Sequence, residues 1–406
     1  MKPVAFLIQG FGRAPSGRAI HCKSSQGSLH SLVIPPLSYR LPYCGLSVTI
    51  PHAGANLITW LVAASKLVIA RTIPLLLLLI SNTVVTAQAT STPAEQYKIA
   101  KSFIQQNDYE NAIIVLKQAI VQEPNNIQYA TELANAYYYK GDNELAKTTL
   151  NKVLDTENAD EYAYLLAGNI CAANTDPKGA EKAFKRGLKK YENSGVLYHA
   201  LGDIMWKQGN YEAITLWEKG IQVEPNLANN YFSAVMYYYL TKSTSDKLWC
   251  LYYGEIFVNL ESYSTRTVEV KSIILDCYKK IFAEGDYLTQ KSKNYFETNF
   301  KKTLNKYRYV INNGINTPAL VKLRAMFVLD WFANTSSTVN SSLYIKQQQM
   351  LKEGLFEAYN YWLFESAYDP IAYEKYVIMN KDKNNFFTKY QKNRVFKLTN
   401  EEYQKN

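Results

Sequence analysis

Four histidines stand in 406 residues, and three of them, His21, His30 and His52, fall within the first 60. Only His199 follows, so neither a Ser–His–Asp triad nor a multi-histidine metal site gains support. Asp203 lies four residues on, on the same helical face, which makes a local hydrogen-bonded pair but brings no nucleophile with it. No HExxH, GxSxG, GxxxxGK(S/T) or GxGxxG string occurs. Of the five cysteines, Cys22 and Cys44 are early, and Cys171, Cys250 and Cys277 show no CxxC or zinc spacing. Each of the later three reads as a small buried apolar residue, with a Cys250–Cys277 bridge as the alternative. The usual catalytic constellations are therefore excluded, and no cofactor or metal ligand set is expected.

Acidic residues are missing altogether from residues 1–89, which carry Lys2, Arg13, Arg18, Lys23, Arg40, Lys66 and Arg71. The net charge of +10 is largely a property of this leader, and the remainder is near balance. A balanced chain has no strong field to steer it towards phosphate, so a nucleic-acid partner is not expected. Within the leader, Ile73–Ile80 is a strongly apolar run with Lys66 and Arg71 before it and Val85, Ala87 and Ala89 after it. A positive flank, a short apolar core and a small-x-small exit are the three parts of a secretory signal peptide, here 67–89, cleaved after Ala87 or Ala89. The run is short for a membrane span. An anchor using 61–86 is the lesser alternative, and the only membrane contact expected. Residues 1–66 hold Pro and Gly clusters with no sustained helical period, and are expected to be disordered or an upstream misplacement of the chain start. An acidic-poor transit peptide is the other reading.

Strand-like alternation is absent too, so the chain reads as all-α. What is present is a repeat of 34 residues. Ala100, Ala134, Gly168 and Gly202 keep that step, as do Ile99, Leu133, Ala167 and Leu201, then Ala112, Ala146 and Ala180, then Leu116, Leu150 and Phe184. Apolar residues at i, i+3, i+4 and i+7, as in Ala112, Ile113, Leu116, Ala119 and Ile120, give amphipathic helices. Turns recur at Asn107-Asp108, Gly141-Asp142, Asp176-Pro177 and Gly209-Asn210, with Asp176 a predicted N-cap. Each pair has apolar residues on more than one face, which a lone hairpin cannot bury and a stack of neighbours can.

These columns resemble the tetratricopeptide repeat, whose small residues let two helices pack closely. Four units fit, at 93–126, 127–160, 161–194 and 195–227. The second and third lack the closing proline, and in the fourth the second helix sits one residue early. The resemblance implies an α-solenoid whose first helices line a concave groove that binds an extended peptide or protein segment. The residues of those helices left over from packing are Tyr97, Lys101, Gln105, Thr131, Asn135, Tyr138, Asn169, His199, Asp203 and Trp206. Lys101, Asn135, Asn169 and Asp203 are 34 apart and are expected to stack as a ladder able to donate to and accept from a peptide backbone. The basic and asparagine clamp by which chaperone-binding relatives hold a C-terminal carboxylate is incomplete, because the corresponding surface has Tyr97, Asn135, Tyr162 and Leu166 and lacks the cationic members.

Residues 228–406 read as a fading fifth unit merging into a helical C-terminal half. Helices are predicted near 229–240, 246–260, 265–282, 287–310, 318–332, 341–352, 355–364, 371–380 and 383–391. The 246–260 helix, apolar almost throughout, is the candidate for the most buried. Tyr359, Tyr361, Trp362 and Phe364 read first as core and otherwise as a platform for sugar or peptide. Glu255, Glu261, Glu357 and Glu365 are the carboxylates from which a glycosidase pair would have to come. Asn334 and Asn340 open glycan-acceptor triplets. The expected function is thus a non-enzymatic binding scaffold exported to the cell envelope. The alternative is a carbohydrate-binding or carbohydrate-processing protein using the aromatic C-terminal half.

Overall fold

The computed structural model describes residues 91–284, 286–334, 341–393 and 396–405. The readings for 1–66, for the signal or anchor segments within 61–89 and for Asn340 lie outside the described residues. Among those residues every regular element is helical, and none is long and apolar enough to cross a membrane.

Five antiparallel helix pairs follow one another. They are α1 (Pro93–Gln105) with α2 (Tyr109–Gln122), α3 (Ile127–Lys140) with α4 (Asn143–Leu154), and α5 (Glu161–Ala173) with α6 (Pro177–Lys190). Then come α7 (Gly195–Lys207) with α8 (Ala213–Val223) and α9 (Ala228–Leu240) with α10 (Thr244–Leu260). Local chemistry sets their starts. Thr92 and Glu95 form a reciprocal capping box, Asp108, Asp160 and Ser194 each accept from the backbone N–H three residues on, and Asp176 does the same with Pro177 as the first helical residue. Gly141 and Gly209 close the first helices at φ +92° and +76°, a region that only glycine enters freely.

The repeat columns are the contact between the two helices of a pair. Ala100 and Ala134 are fully buried, as are their counterparts Leu116 and Leu150 sixteen residues on. Where the small residue is glycine, the counterpart is aromatic. A Cβ built on Gly168 would lie 2.1 Å from Phe184, and one on Gly202 would lie 2.5 Å from Trp217. Volume is traded across the contact, so each pair keeps the same close approach with a different filling. The fourth unit spaces its partner at fifteen residues. There α8 begins only at Ala213, after Asn210 Oδ1 accepts from the Glu212 N–H at 2.9 Å, and Trp217 still reaches the contact.

Beyond α10 the chain continues as α11 (Thr265–Ala283), α12 (Tyr295–Lys306), α13 (Thr317–Asn334) and α14 (Ser342–Lys352). The predicted helix over 287–310 is corrected. It breaks into a 3₁₀ turn (Tyr287–Thr289), α12 and a second 3₁₀ turn (Arg308–Ile311), because Asn294 turns its side chain to cap the Glu297 N–H at 2.8 Å. The predicted 355–364 helix follows Gly354 (φ +70°) but runs further, as α15 (Phe356–Asn360), a π-helical turn (Tyr361–Glu365) and α16 (Ser366–Tyr368). Then come α17 (Pro370–Met379), α18 (Lys381–Asn393) and a 3₁₀ turn (Asn400–Glu402). Cys250 and Cys277 are free, buried thiols rather than a bridge.

This half has a polar centre. Buried Glu255 Oε1 accepts from Arg324, from Gln347 Nε2 at 2.7 Å and from the Tyr359 hydroxyl at 2.7 Å, while Arg324 also donates to Asn360 Oδ1 at 2.5 Å. One carboxylate thus ties α10 to α13, α14 and α15. A second buried cation, Lys271 on α11, lies 3.6 Å over the Trp362 ring and donates to Ser366 Oγ at 3.0 Å. Burial alone lowers its ammonium to about 7.

Gly168→Ala is expected to lower stability by about 1–3 kcal/mol through overpacking against Phe184, with much of the loss recovered in Gly168→Ala/Phe184→Leu; thermal melts followed by circular dichroism measure both. Lys271→Met is expected to raise stability by about 2 kcal/mol at pH 6. The unfolded lysine keeps its proton to far higher pH than the folded one, so the penalty is full below pH 7 and shrinks as pH rises towards 10. The gain should therefore be smaller at pH 9, as read from urea midpoints at the two pH values.

Candidate functional site

The first helices touch one another from pair to pair, α1 on α3, α3 on α5, α5 on α7 and α7 on α9, and α11 continues the row against α9. Their shared face is where the sequence-predicted residues fall, and two regions of it carry chemistry.

In the first region, on α1, α3 and α5, the Tyr97 and Tyr129 rings lie 5.3 Å apart and Lys101 Nζ sits 5.5 Å from the Tyr97 centroid. Tyr162, on α5, remains 39 % exposed. Burial raises its phenol well above the ordinary value, and the Glu132 and Asp160 carboxylates, with the neighbouring Tyr139 and Tyr97 phenols, raise it further. Tyr97 is raised in the same way, by burial and then by Glu132, Asp160 and Tyr129. Side chains from three successive first helices thus converge on an aromatic surface under negative potential. Asn135 Nδ2 donates to Glu132 Oε2 at 3.1 Å, and Asp160 caps α5 through the Ala163 N–H at 2.8 Å, so both carboxylates are held in place. Tyr138 and Tyr139 extend the aromatic surface, with Tyr139 stacked on Tyr109 at 5.6 Å.

In the second region, on α7 and α9, His199 Nε2 lies 3.3 Å from Ser233 Oγ and 3.7 Å from Asp203 Oδ1, which also accepts from Trp217 Nε1 at 3.2 Å. Trp206 packs edge-on to Tyr211 and Tyr237, at 5.6 and 5.8 Å. Arg266 on α11 lies over the Phe232 ring at 4.8 Å and donates to Asn229 Oδ1 at 3.1 Å. The His199 imidazole is pushed below its ordinary value by burial first, with Arg266 and Lys207 acting the same way and Asp203 opposing.

The predicted residues divide by what their side chains do. Tyr97, Lys101, Gln105, Tyr138, Asn169, His199, Asp203 and Trp206 are partly or fully open. Thr131 is buried and returns its hydroxyl to the Ile127 carbonyl at 2.8 Å, and Asn135 is buried beside Glu132. Asn135 and Asp203 bond within their own helix pairs, so the 34-residue ladder is a register of positions. Glu132, Tyr129, Ser233, Tyr237 and Arg266 join the site without having stood out in the sequence, and Tyr162 belongs to it as well as to the surface that lacks the clamp. Ser233 and Tyr237 stand 34 residues after His199 and Asp203, so the period itself was their signal.

The alternative centred on the C-terminal half is not assembled. Tyr359, Trp362 and Phe364 are buried in the core, and Tyr361 stacks on Tyr376 at 3.7 Å. Glu255 binds Arg324, Glu261 binds Arg266, Glu357 binds Lys383 at 3.1 Å and Glu365 accepts from Thr317, so the four carboxylates serve four different contacts. Among the described residues no group of three or more His, Cys, Asp or Glu side chains is placed to hold a metal ion.

Residues 103–169 match the family model of the tetratricopeptide repeat. Human aspartyl/asparaginyl β-hydroxylase is 28 % identical over 112 residues, 27 % of this chain. The match spans only 15 % of that relative's length. Among solved structures, MamA covers 47 % of this chain and 98 % of its own at 20 % identity, with a TM-score of 0.31. YrrB, described as a tetratricopeptide protein with an unusual peptide-binding site, covers 47 % and 97 % at 16 % identity and a TM-score of 0.33. A tetratricopeptide repeat protein from Parabacteroides merdae covers 73 % and 98 % at 14 % identity and a TM-score of 0.36.

Because the folded His199 holds its proton less tightly than the unfolded one, stability should fall as pH drops through the ordinary histidine range. His199→Gln is expected to flatten that part of the acid loss; urea midpoints at pH 7.5 and pH 5 measure it.

Proposed function

This chain carries tetratricopeptide repeats, and from that premise we propose a non-enzymatic scaffold that docks an extended segment of a partner protein along the face of its first helices. The observation that carries this reading is the convergence of Tyr97, Glu132, Asp160 and Tyr162 from three successive helix pairs. Packing accounts for the buried columns beneath them and leaves these groups over. Partly open phenol rings supply contact area at low entropic cost. Two fixed carboxylates among them favour a lysine or arginine side chain, which gains from the ring faces and from the negative potential together. Asn169 and the His199–Ser233 pair, further along the row, offer hydrogen bonds to a peptide backbone.

The signal-like segment 67–89 supports export, so the partner is sought in the cell envelope. Cleavage after Ala87 or Ala89 is the corresponding expectation, read by N-terminal sequencing of the exported protein.

Affinity capture from an envelope fraction, using the chain from Ala89 onward, tests the docking face. Tyr97→Ala/Tyr162→Ala is expected to reduce recovery of the partner about tenfold, which corresponds to about 1.4 kcal/mol. Glu132→Gln should weaken it in a salt-sensitive manner, while Tyr295→Ala on α12 should leave it unchanged. Equal recovery by the double variant and the unaltered chain would contradict the assignment.

A further inference from the structure

The fourth and fifth pairs hold a short segment of the chain itself, bent by the 3₁₀ turn at Asn400–Glu402. Residues 396–405 return from the C-terminal half to lie against α8, α9 and α10. Asn226, in the turn before α9, reads the backbone of Leu398 in both directions: its Nδ2 donates to the carbonyl at 3.0 Å and its Oδ1 accepts from the N–H at 2.9 Å. Asn400 Nδ2 donates to the Val223 carbonyl at 3.3 Å. Leu398 and Gln404 are buried, while Lys397, Thr399, Asn400 and Glu401 stay exposed.

Seven residues after Leu398, the Lys405 ammonium enters a box of one carboxylate and three aromatic side chains. It donates to Glu218 Oε1 at 2.8 Å and to the Tyr238 hydroxyl, and lies 4.4 and 5.5 Å from the Tyr238 and Trp249 ring centroids. Glu218 Oε1 also accepts from Tyr238 at 2.6 Å and from Tyr253 at 3.4 Å. The box is built of α8, α9 and α10 side chains alone. Burial raises the Glu218 carboxyl and Lys405 pulls it back down, so the lysine offsets the cost of burying this carboxylate.

Side-chain amide pairing with a single backbone residue, one aliphatic anchor and, beyond a single 3₁₀ turn, an aromatic–carboxylate lysine box are together elements of peptide recognition. We propose that the groove between α8 and α10 is a second peptide-binding site, kept shut by residues 396–405, and that it takes a partner segment of the same chemistry: an aliphatic residue followed seven positions later by a lysine. This site is separate from the first-helix face and does not depend on that reading. Glu402 also accepts from the Ser342 N–H and hydroxyl at 2.6 and 2.8 Å, and the Gln404 carbonyl accepts from Asn294 Nδ2 at 2.8 Å. Release breaks these contacts at the starts of α14 and α12 but leaves the helix pairs intact, so it is a local event.

The probe is a fluorescent synthetic peptide of residues 396–405, added to the full chain and read by anisotropy. The variant Leu398→Asp/Lys405→Ala, which loosens the internal segment, is expected to bind it at least tenfold more tightly than the unaltered chain. The affinity should be lost again when the peptide carries Lys405→Ala or when the chain also carries Glu218→Gln. Absence of binding to the loosened variant while its circular dichroism spectrum is retained, or equal binding to both chains, overturns the proposal. Hydrogen exchange on the unaltered chain stands independently of any variant. The amides of 396–405 should exchange at lower free energy than those of α8 and α10, and exchange of all of them together with global unfolding also overturns it.

Discussion

The architecture depends on how closely the two helices of a pair approach at one small residue. Ala100, Ala134, Gly168 and Gly202 occupy that point, and the residue facing each grows as it shrinks, from leucine opposite alanine to phenylalanine and tryptophan opposite glycine. The approach fixes the tilt of the second helix on the first, and that tilt fixes where the next first helix lands. A stack of units with the same approach turns a local packing constraint into a continuous face of first helices. Ala234 and Cys250, both fully buried, carry the contact into the fifth pair.

Past the fifth pair the chain is held by a different kind of contact. The Glu255 carboxylate binds three elements distant in sequence, and Arg324 is compensated there by a charge, an amide and surrounding rings. A buried charged pair of this kind is a weak source of stability but a strict one for geometry, since leaving either partner alone is costly. The aromatic residues that enrich this half fill the space around it. Trp331 and Tyr344 each contact Phe327 and Phe296, with ring centroids no more than 6.3 Å apart.

Legibility in the sequence followed this division. Helices whose ends carry a capping side chain and whose faces repeat at 34 were readable, as Asp176 with Pro177 illustrates. The 287–310 stretch was not, because its apolar residues have helical spacing and the break comes from one asparagine choosing to cap. The π turn was hidden for a similar reason: it replaces backbone bonds within an uninterrupted helical pattern. In the candidate site, residues in the periodic columns could be named, yet Glu132 and Arg266 could not. Their importance arises from neighbours on other helices, and no spacing along the chain encodes that. The return of residues 396–405 to Asn226 and Glu218 was invisible for the same reason.

The two surfaces proposed to dock peptides share a chemistry of tyrosine rings around a held carboxylate, one on the first helices and one among α8, α9 and α10. In the second, the occupant is present and is a lysine, which gives physical weight to a cationic segment as the ligand of the first. The most direct measurement of the central claim is site-specific photocrosslinking in cells, with a photoreactive phenylalanine at position 162 and, for comparison, at exposed Phe386 on α18. A discrete crosslinked partner is expected from position 162, reduced by Glu132→Gln, and none from position 386. A crosslinked partner at 386 with none at 162 would contradict the claim.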